Sequence, residues 1–240
     1  MKNFYKIIKF ILLTMTDSKT TLFINKDASS IKNLFLNHNW NIKCIYENIY
    51  TIEIENKQID WIIKIYEKGR FAKKEALNLE ILKDVKGIPK LLISKCNDHI
   101  NYNIISKAPG IDLFEYVNKY GIINENKVKN ITKKILNILN EIHKKNIIHQ
   151  DIKLENILYD NKTEEVTLID FEEKHTIDYW SPEQIKKTNE ITTKTDIWSL
   201  GVCIFGMLTR ECPFGNSKDI LHCKYIFPDK IYDILRSKND

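Results

Sequence analysis

The chain has 240 residues, a formal net charge of +5 and a sequence pI of about 8.7. That length fits one large domain or two small lobes with a sizeable core, and 43% hydrophobic with 29% charged residues is ordinary for a soluble globular protein. The positive excess is spread as single lysines, without the basic block that grips nucleic acid, so no nucleic-acid partner is expected.

Five scattered cysteines, Cys44, Cys96, Cys203, Cys212 and Cys223, are odd in number and show no CxxC spacing. They predict reduced thiols in an intracellular, cytoplasmic compartment rather than a disulfide framework. Cys212, His222 and Cys223 lack the spacing and the fourth ligand of a zinc site.

In chain order, Phe4 to Leu13 is apolar but interrupted by Lys6 and Lys9. It is too short to span a bilayer and ends in no clear cleavage site, so a packed N-terminal segment is expected. Residues 1–40 form an extension without a motif. Within it, Asp17 to Ser30 is polar and turn-rich, and Ile31 to Trp40 has helical spacing. From Asn41 to Tyr66 the period changes to two. Ile42, Cys44 and Tyr46 alternate, then Tyr50, Ile52 and Ile54, then Trp61, Ile63 and Ile65, which predicts three antiparallel strands. Lys64 lies inside the third.

Phe71 to Val85 has helical register through Ala76, Leu79, Leu82 and Val85, and Gly87-Ile88-Pro89 stops it. Leu91 to Ser94 and Tyr102 to Ile105 predict two more strands, giving a five-stranded small lobe with one helix. Ala108-Pro109-Gly110 marks a turn or hinge. Beyond it the chain reads as mostly helical, with long helices over Val128 to His143 and Asp196 to Leu208. The expected class is α+β: an antiparallel β lobe with one helix over residues 41–107 and a larger helical lobe over 108–240.

The densest chemistry is His149-Gln150-Asp151-Ile152-Lys153-Leu154-Glu155-Asn156, followed after an apolar run by Ile169-Asp170-Phe171-Glu172. Phosphoryl transfer from ATP needs such a set. One carboxylate orients the attacking hydroxyl, a cation offsets phosphoryl charge, and an amide with a second carboxylate holds Mg²⁺. The spacing resembles the catalytic loop and metal motif of the eukaryotic-type Ser/Thr protein kinase family. The resemblance runs from about Ile42 to Asp240 and rests on several motifs in order.

This resemblance implies a two-lobed kinase fold, truncated at the C-terminus, that uses ATP and Mg²⁺ and takes protein substrates. By it, Asp151 is the catalytic base and Lys153 the phosphate-facing lysine typical of Ser/Thr enzymes. Asn156 and Asp170 are the metal ligands. Ile62-Ile63-Lys64 looks like the strand-three lysine motif, with Lys64 on the α- and β-phosphates; the lesser alternative, with the residue read alone, is a snorkelling surface lysine. Glu75 is the expected helix partner of Lys64, with Asn78 the alternative from the apolar register. Ile42, Ile49, Ile62 and Leu158 fall at apolar nucleotide-lining positions. Ile105 would be the gatekeeper, and backbone groups of Ser106 and Ala108 would hold adenine. Asp112 would lie near the ribose, or serve as a helix N-cap. Tyr179-Trp180-Ser181-Pro182-Glu183 resembles the end of the activation segment, and Thr176 matches a position that contacts the catalytic loop. Asp196-Ile197-Trp198-Ser199-Leu200-Gly201 resembles the buried helix that anchors that loop.

Four departures from the family stand out. No glycine occurs between Met1 and Lys68, so the phosphate loop expected near Ile42 to Ile49 lacks the residues that let backbone N–H groups approach phosphate closely. Glu172 replaces a Gly beside the metal, as an added ligand or a repulsive charge. Gln150 replaces an Arg that pairs with a phosphorylated loop, and Glu173 to His175 leaves hardly any room for a phosphosite. The family's last helix, with the Arg partner expected for Glu183, has no counterpart after Phe227-Pro228 and Ile231 to Leu235. Three functions are therefore in play: a Ser/Thr protein kinase, a partner-binding pseudokinase, and a small-molecule phosphotransferase of the choline- or aminoglycoside-kinase type, which shares an Asp-Phe-Glu. Lys153, Ser181-Pro182-Glu183 and the run from Asp196 to Gly201 favour the first.

Overall fold

The computed structural model describes residues 21–24, 40–46, 48–54, 57–96, 101–172, 176–187 and 191–225. The chain divides into two units. The first runs to Asp84 and resumes from Pro89 to Ala108; the second takes Val85–Ile88 and continues from Pro109.

The first unit is an antiparallel sheet with one helix. Its strands are β1 (Thr21–Ile24), β2 (Trp40–Tyr46), β3 (Ile49–Ile54), β4 (Lys57–Tyr66), β5 (Leu91–Cys96) and β6 (Asn101–Ser106), in the order β1-β5-β6-β4-β3-β2. The sheet thus has six strands, not the five expected. The additional one, β1, lies inside the stretch read as a polar, turn-rich extension. Four residues are too few to display a period of two, and the pairing with β5 is non-local. Most of the helical spacing seen from Ile31 to Trp40 lies outside the described residues; Trp40 itself opens β2.

The helix α1 (Gly69–Ile81) follows β4. It stops earlier than the apolar register suggests, because Leu82–Asp84 form a turn in which Leu82 remains only 1% exposed. Ala72 and Ala76 are fully buried and Leu79 nearly so; the small side chains let the helix axis approach the sheet. Lys64, Tyr66 and Asn103 share the sheet face that α1 covers, while Ile63 and Ile104 are buried on the other face.

The second unit opens with β7 (Ile111–Asp112), α2 (Leu113–Tyr120) and α3 (Glu125–Lys144). Then come β8 (Ile157–Tyr159), β9 (Val166–Leu168), α4 (Pro182–Ile185), α5 (Thr193–Thr209) and α6 (Ser217–Leu221), with 3-10 turns at Leu154–Asn156 and Ile177–Tyr179. β7, β8 and β9 form a small sheet in that order. Asn124 caps α3 by accepting from Lys127 N–H at 2.9 Å. One stripe of α3 (Val128, Ile131, Ile135, Ile138, Leu139 and Ile142) is buried, each side chain contributing about 1.5–3 kcal/mol. In α5 a broad face is buried, including Thr195, Asp196, Ser199, Leu200, Cys203 and Met207, while Ile197 and Gly201 on the opposite side are exposed. Leu168 N–H donates to Gly87 O at 2.9 Å, which ties β9 to the 85–88 segment. The family-like residues Phe227-Pro228 and Ile231 to Leu235 lie outside the described residues.

All five cysteines are free thiols, and Cys203 is buried so thoroughly that its thiol is pushed well above its ordinary value. Among the described residues, no helix is long and apolar enough to cross a membrane.

Gly110 is a point of close backbone approach. Its φ is +91°, and a Cβ there would lie 2.3 Å from Tyr159 O and 2.4 Å from Tyr159 C, atoms that cannot rotate away. Gly110→Ala is expected to lower the unfolding free energy by roughly 2–4 kcal/mol, read as a shifted midpoint in urea titration. A shift below about 0.5 kcal/mol would show that the β7–β8 contact yields easily.

Candidate active site

In the first unit, Lys64 is in the middle of β4, and a buried ammonium needs a partner. It has one: Lys64 Nζ donates to Glu75 Oε1 at 2.5 Å, with the two residues 7% and 1% exposed. The structure therefore joins Lys64 to Glu75 rather than to Asn78. The other carboxylate oxygen, Oε2, accepts from Tyr66 Oη and from Asn103 Nδ2, the latter at 2.9 Å. Lys64 and Asn103 are directly opposite across β4 and β6, and Tyr66 lies two residues on, on the same face.

The turn between β2 and β3 includes Asn48, whose φ is +59°. After glycine, Asn is the residue type that best tolerates this region, so the chain turns here without one. Ile42 pairs with Ile52 across β2 and β3. Ile49 is half-buried opposite Lys64, and Ile62 is half-buried opposite the buried Ile105. Ser106 has its N–H committed to Lys90 O and its Oγ to Lys90 N–H; it and Ala108 are half-buried.

In the second unit, Asp112 caps α2 by accepting from Glu115 N–H at 2.7 Å and pairs in register with the half-buried Leu158. The loop from His149 to Asn156 is organised by Asp196 of α5, which is fully buried. Its Oδ2 accepts from His149 N–H at 2.9 Å and from His143 Nε2 at 2.8 Å; its Oδ1 accepts from Gln150 N–H at 2.8 Å. Gln150 holds φ at +66°, which costs about 1–2 kcal/mol for a side-chain-bearing residue. Charge-assisted bonds of roughly 1.5–3 kcal/mol each offset that strain. His149 adds a second clamp. Its Nδ1 accepts from Asp151 N–H at 3.3 Å and its Nε2 donates to Ile169 O at 3.0 Å, while its ring packs 4.7 Å from Phe171.

These clamps deliver Asp151, 4% exposed, into a closed polar ring. Oδ1 accepts from Thr176 Oγ1 at 3.1 Å. Oδ2 accepts from Asn156 Nδ2 at 2.9 Å and lies 3.2 Å from Lys153 Nζ, which itself donates to Thr176 Oγ1 at 2.8 Å. Asn156 Nδ2 also donates to Asp151 O at 2.8 Å. With its hydrogens spent on Asp151, the Asn156 amide keeps Oδ1, an oxygen ligand, for a cation.

The β8–β9 ladder brings the second oxygen donor near. Ile169 N–H donates to Asn156 O at 3.0 Å, which sets Asp170 one residue beyond the partner of Asn156. Asp170 takes φ +71°, another left-handed residue at the site. Among the described residues no three His, Cys, Asp or Glu side chains gather to hold a metal by themselves. Two hard oxygen donors completed by phosphate oxygens suit Mg²⁺. Glu172 is only 4% exposed, so it is not a solvated charge beside Asp170.

Glu183, expected to lack its family Arg, accepts from the buried Thr195 Oγ1 at 3.0 Å. Gln184 reaches back in two directions. Its Oε1 accepts from Ser181 N–H at 3.0 Å, and its Nε2 donates to Gln150 O at 3.4 Å. Sequence reasoning missed Tyr66, Asn103, His143, Gln184 and Thr195. Tyr66 and Asn103 carried a signal: a residue two on from Lys64 shares its strand face, and an Asn inside Tyr102-Asn103-Ile104-Ile105 needs a buried partner. Gln184 carried a local one too, the capping-box spacing from Ser181, while its bond to Gln150 and the contacts of His143 and Thr195 join residues farther apart in sequence.

A β sheet with one helix carrying a buried Lys–Glu pair, and a helical unit carrying an Asp-x-Lys-x-x-Asn loop braced by a buried Asp, define a protein-kinase-type fold. The family model described as "Protein kinase domain" matches residues 47–239, and the chain belongs to the eukaryotic-type Ser/Thr protein kinase family. It is 32% identical over 213 residues to a probable serine/threonine-protein kinase of Dictyostelium discoideum, covering 73% of this chain and 14% of that protein. It is 29% identical over 199 residues to the Saccharomyces cerevisiae serine/threonine-protein kinase PKH1, covering 72% and 25%. The solved structure of the Cydia pomonella granulovirus kinase PK-1 superposes with a TM-score of 0.66 at 25% identity, over 86% of this chain and 81% of that one. The chain spans well under two thirds of the length of these two curated relatives.

Asp196→Ala leaves three donors, that of His149 buried and those of His143 and Gln150 half-buried, without this acceptor. The expected loss is roughly 3–5 kcal/mol of unfolding free energy, measured by urea titration. A loss under about 1 kcal/mol would mean that the loop does not depend on this carboxylate.

Proposed function

We propose that the chain transfers the γ-phosphoryl group of ATP to Ser and Thr hydroxyls of protein substrates inside the cell, with Mg²⁺ as cofactor. The Asp151 ring carries this reading: a buried carboxylate, a lysine, a hydroxyl and an amide are fixed within hydrogen-bond reach of one another. Asp151 orients the substrate hydroxyl and takes its proton as the new O–P bond forms and the β–γ bridging bond of ATP breaks, releasing ADP. Lys153 faces the transferring phosphoryl group, and Thr176 keeps both side chains in place. Asn156 and Asp170 would hold Mg²⁺, which would supply positive charge against the phosphate oxygens. Lys64, aimed by Glu75, binds the α- and β-phosphates. Ile42, Ile49, Ile62, Ile105 and Leu158 line the adenine, the backbone of Ser106 and Ala108 holds its edge, and Asp112 lies toward the ribose. The glycine-free β2–β3 turn favours a second reading, a pseudokinase that binds partners with weak or no transfer.

The test follows labelled γ-phosphate from ATP to the protein itself and to a generic basic protein substrate. Wild type is expected to label Ser and Thr, and Asp170→Ala or excess EDTA to remove the signal by on the order of 10³-fold. Thr176→Val is expected to lose about 10- to 100-fold and Thr176→Ser to stay near wild type. Equal background labelling in wild type and Asp170→Ala would favour the pseudokinase.

A further inference from the structure

The Lys64–Glu75 pair is held by more than mutual attraction. Glu75 Oε1 is taken by Lys64, while Oε2 accepts from both Tyr66 Oη and Asn103 Nδ2. Asn103 Nδ2 also donates to Ala72 O at 3.1 Å, a backbone acceptor one turn earlier on the same helix, and lies 3.2 Å from Tyr66 Oη. All four side chains are buried: Lys64 at 7%, Tyr66 at 7%, Glu75 at 1% and Asn103 at 0% exposure. Lys64 Nζ also lies 5.7 Å from the centre of the Tyr66 ring.

From this we infer that Tyr66 and Asn103 are positioning residues that lock α1 and its Glu75 carboxylate onto Lys64, so that the pair is preassembled by the fold without a regulatory event. A single ion pair leaves a helix free to swing, because one rotamer change breaks it. Here the carboxylate has three donors from two strands, and the helix backbone is gripped by one of the same side chains. Withdrawing α1 would take the Glu75 acceptor from the Tyr66 hydroxyl and both the Glu75 and Ala72 acceptors from the buried Asn103 amide, a penalty beyond the loss of the ion pair itself. The same economy appears in the second unit, where Gln150 stands in place of a phosphate-binding Arg and is fixed through its backbone by Asp196. The inference deepens the kinase reading and, for its consequence on rate, rests on it.

Tyr66→Phe removes one oxygen and Asn103→Leu replaces the amide with an apolar group of similar size. Two readouts separate the lock from the activity. Hydrogen–deuterium exchange of the α1 amides, Gly69–Ile81, is expected to accelerate in each variant while the β8–β9 and α5 amides keep wild-type rates. In transfer assays, kcat is expected to fall about 10- to 100-fold with the KM for protein substrate unchanged. If wild type transfers nothing, the kinase reading fails, and the exchange data alone still test the lock. Unaltered α1 exchange in both variants overturns the proposal. So does acceleration spread equally over the whole chain, or an unchanged kcat where wild type is active. Should Asn103→Leu not fold, Tyr66→Phe alone decides, since it keeps the ring and its packing.

Discussion

The buried carboxylate of Asp196 is the constraint on which the second unit depends. Taking a charge out of water is costly unless every lone pair finds a donor. Here backbone N–H groups of His149 and Gln150 and the ring of His143 supply them. The exchange works in both directions. The donors keep Asp196 tolerable in the core, and Asp196 forces the loop into a strained left-handed turn at Gln150. From that turn everything downstream follows: Asp151 enters its polar ring, His149 reaches Ile169, and Asn156 closes on Asp151. Asp196 lies on the buried face of α5, which fixes where its carboxylate stands.

Where the motifs differ from those of the family, side-chain hydrogen bonds join the segments concerned. Glu183 receives the Thr195 hydroxyl. Gln184 links Ser181 to the carbonyl of Gln150, binding the 181–184 segment to the loop. At the β2–β3 turn, Asn48 adopts the conformation that a glycine would otherwise supply.

The elements legible in the sequence were those whose signal is local. The alternation at Trp61, Ile63 and Ile65 marks β4, and the stripe from Val128 to Ile142 marks α3. The Asp151, Lys153 and Asn156 spacing was equally plain, because the chemistry demands those types within one loop. What escaped was non-local. β1 is four residues long and is defined only by its pairing with β5. α1 ends at Ile81 although the apolar register continues through Leu82 to Val85, since a buried turn residue carries the same signal as a helical one. The choice between Glu75 and Asn78 could not be made from periodicity, as both lie on one helix face; the donors of Tyr66 and Asn103 decide it, and they arrive from other strands. Gln184 carried an unused local signal, since Ser181-Pro182-Glu183-Gln184 has capping-box spacing, whereas its reach to Gln150 and the Thr195–Glu183 contact could not be read locally.

The central claim is that this loop is built to react and not merely to bind. Single-turnover transfer with protein in excess over ATP, in wild type and Asp151→Asn, tests it most directly, with Mg²⁺–ATP affinity measured by calorimetry on the same samples. The account predicts affinities that agree within about threefold and a rate lower by 10²- to 10⁴-fold in the variant, the loss of a positioned base. Equal rates in the two proteins, or nucleotide binding by wild type without any transfer, would contradict it.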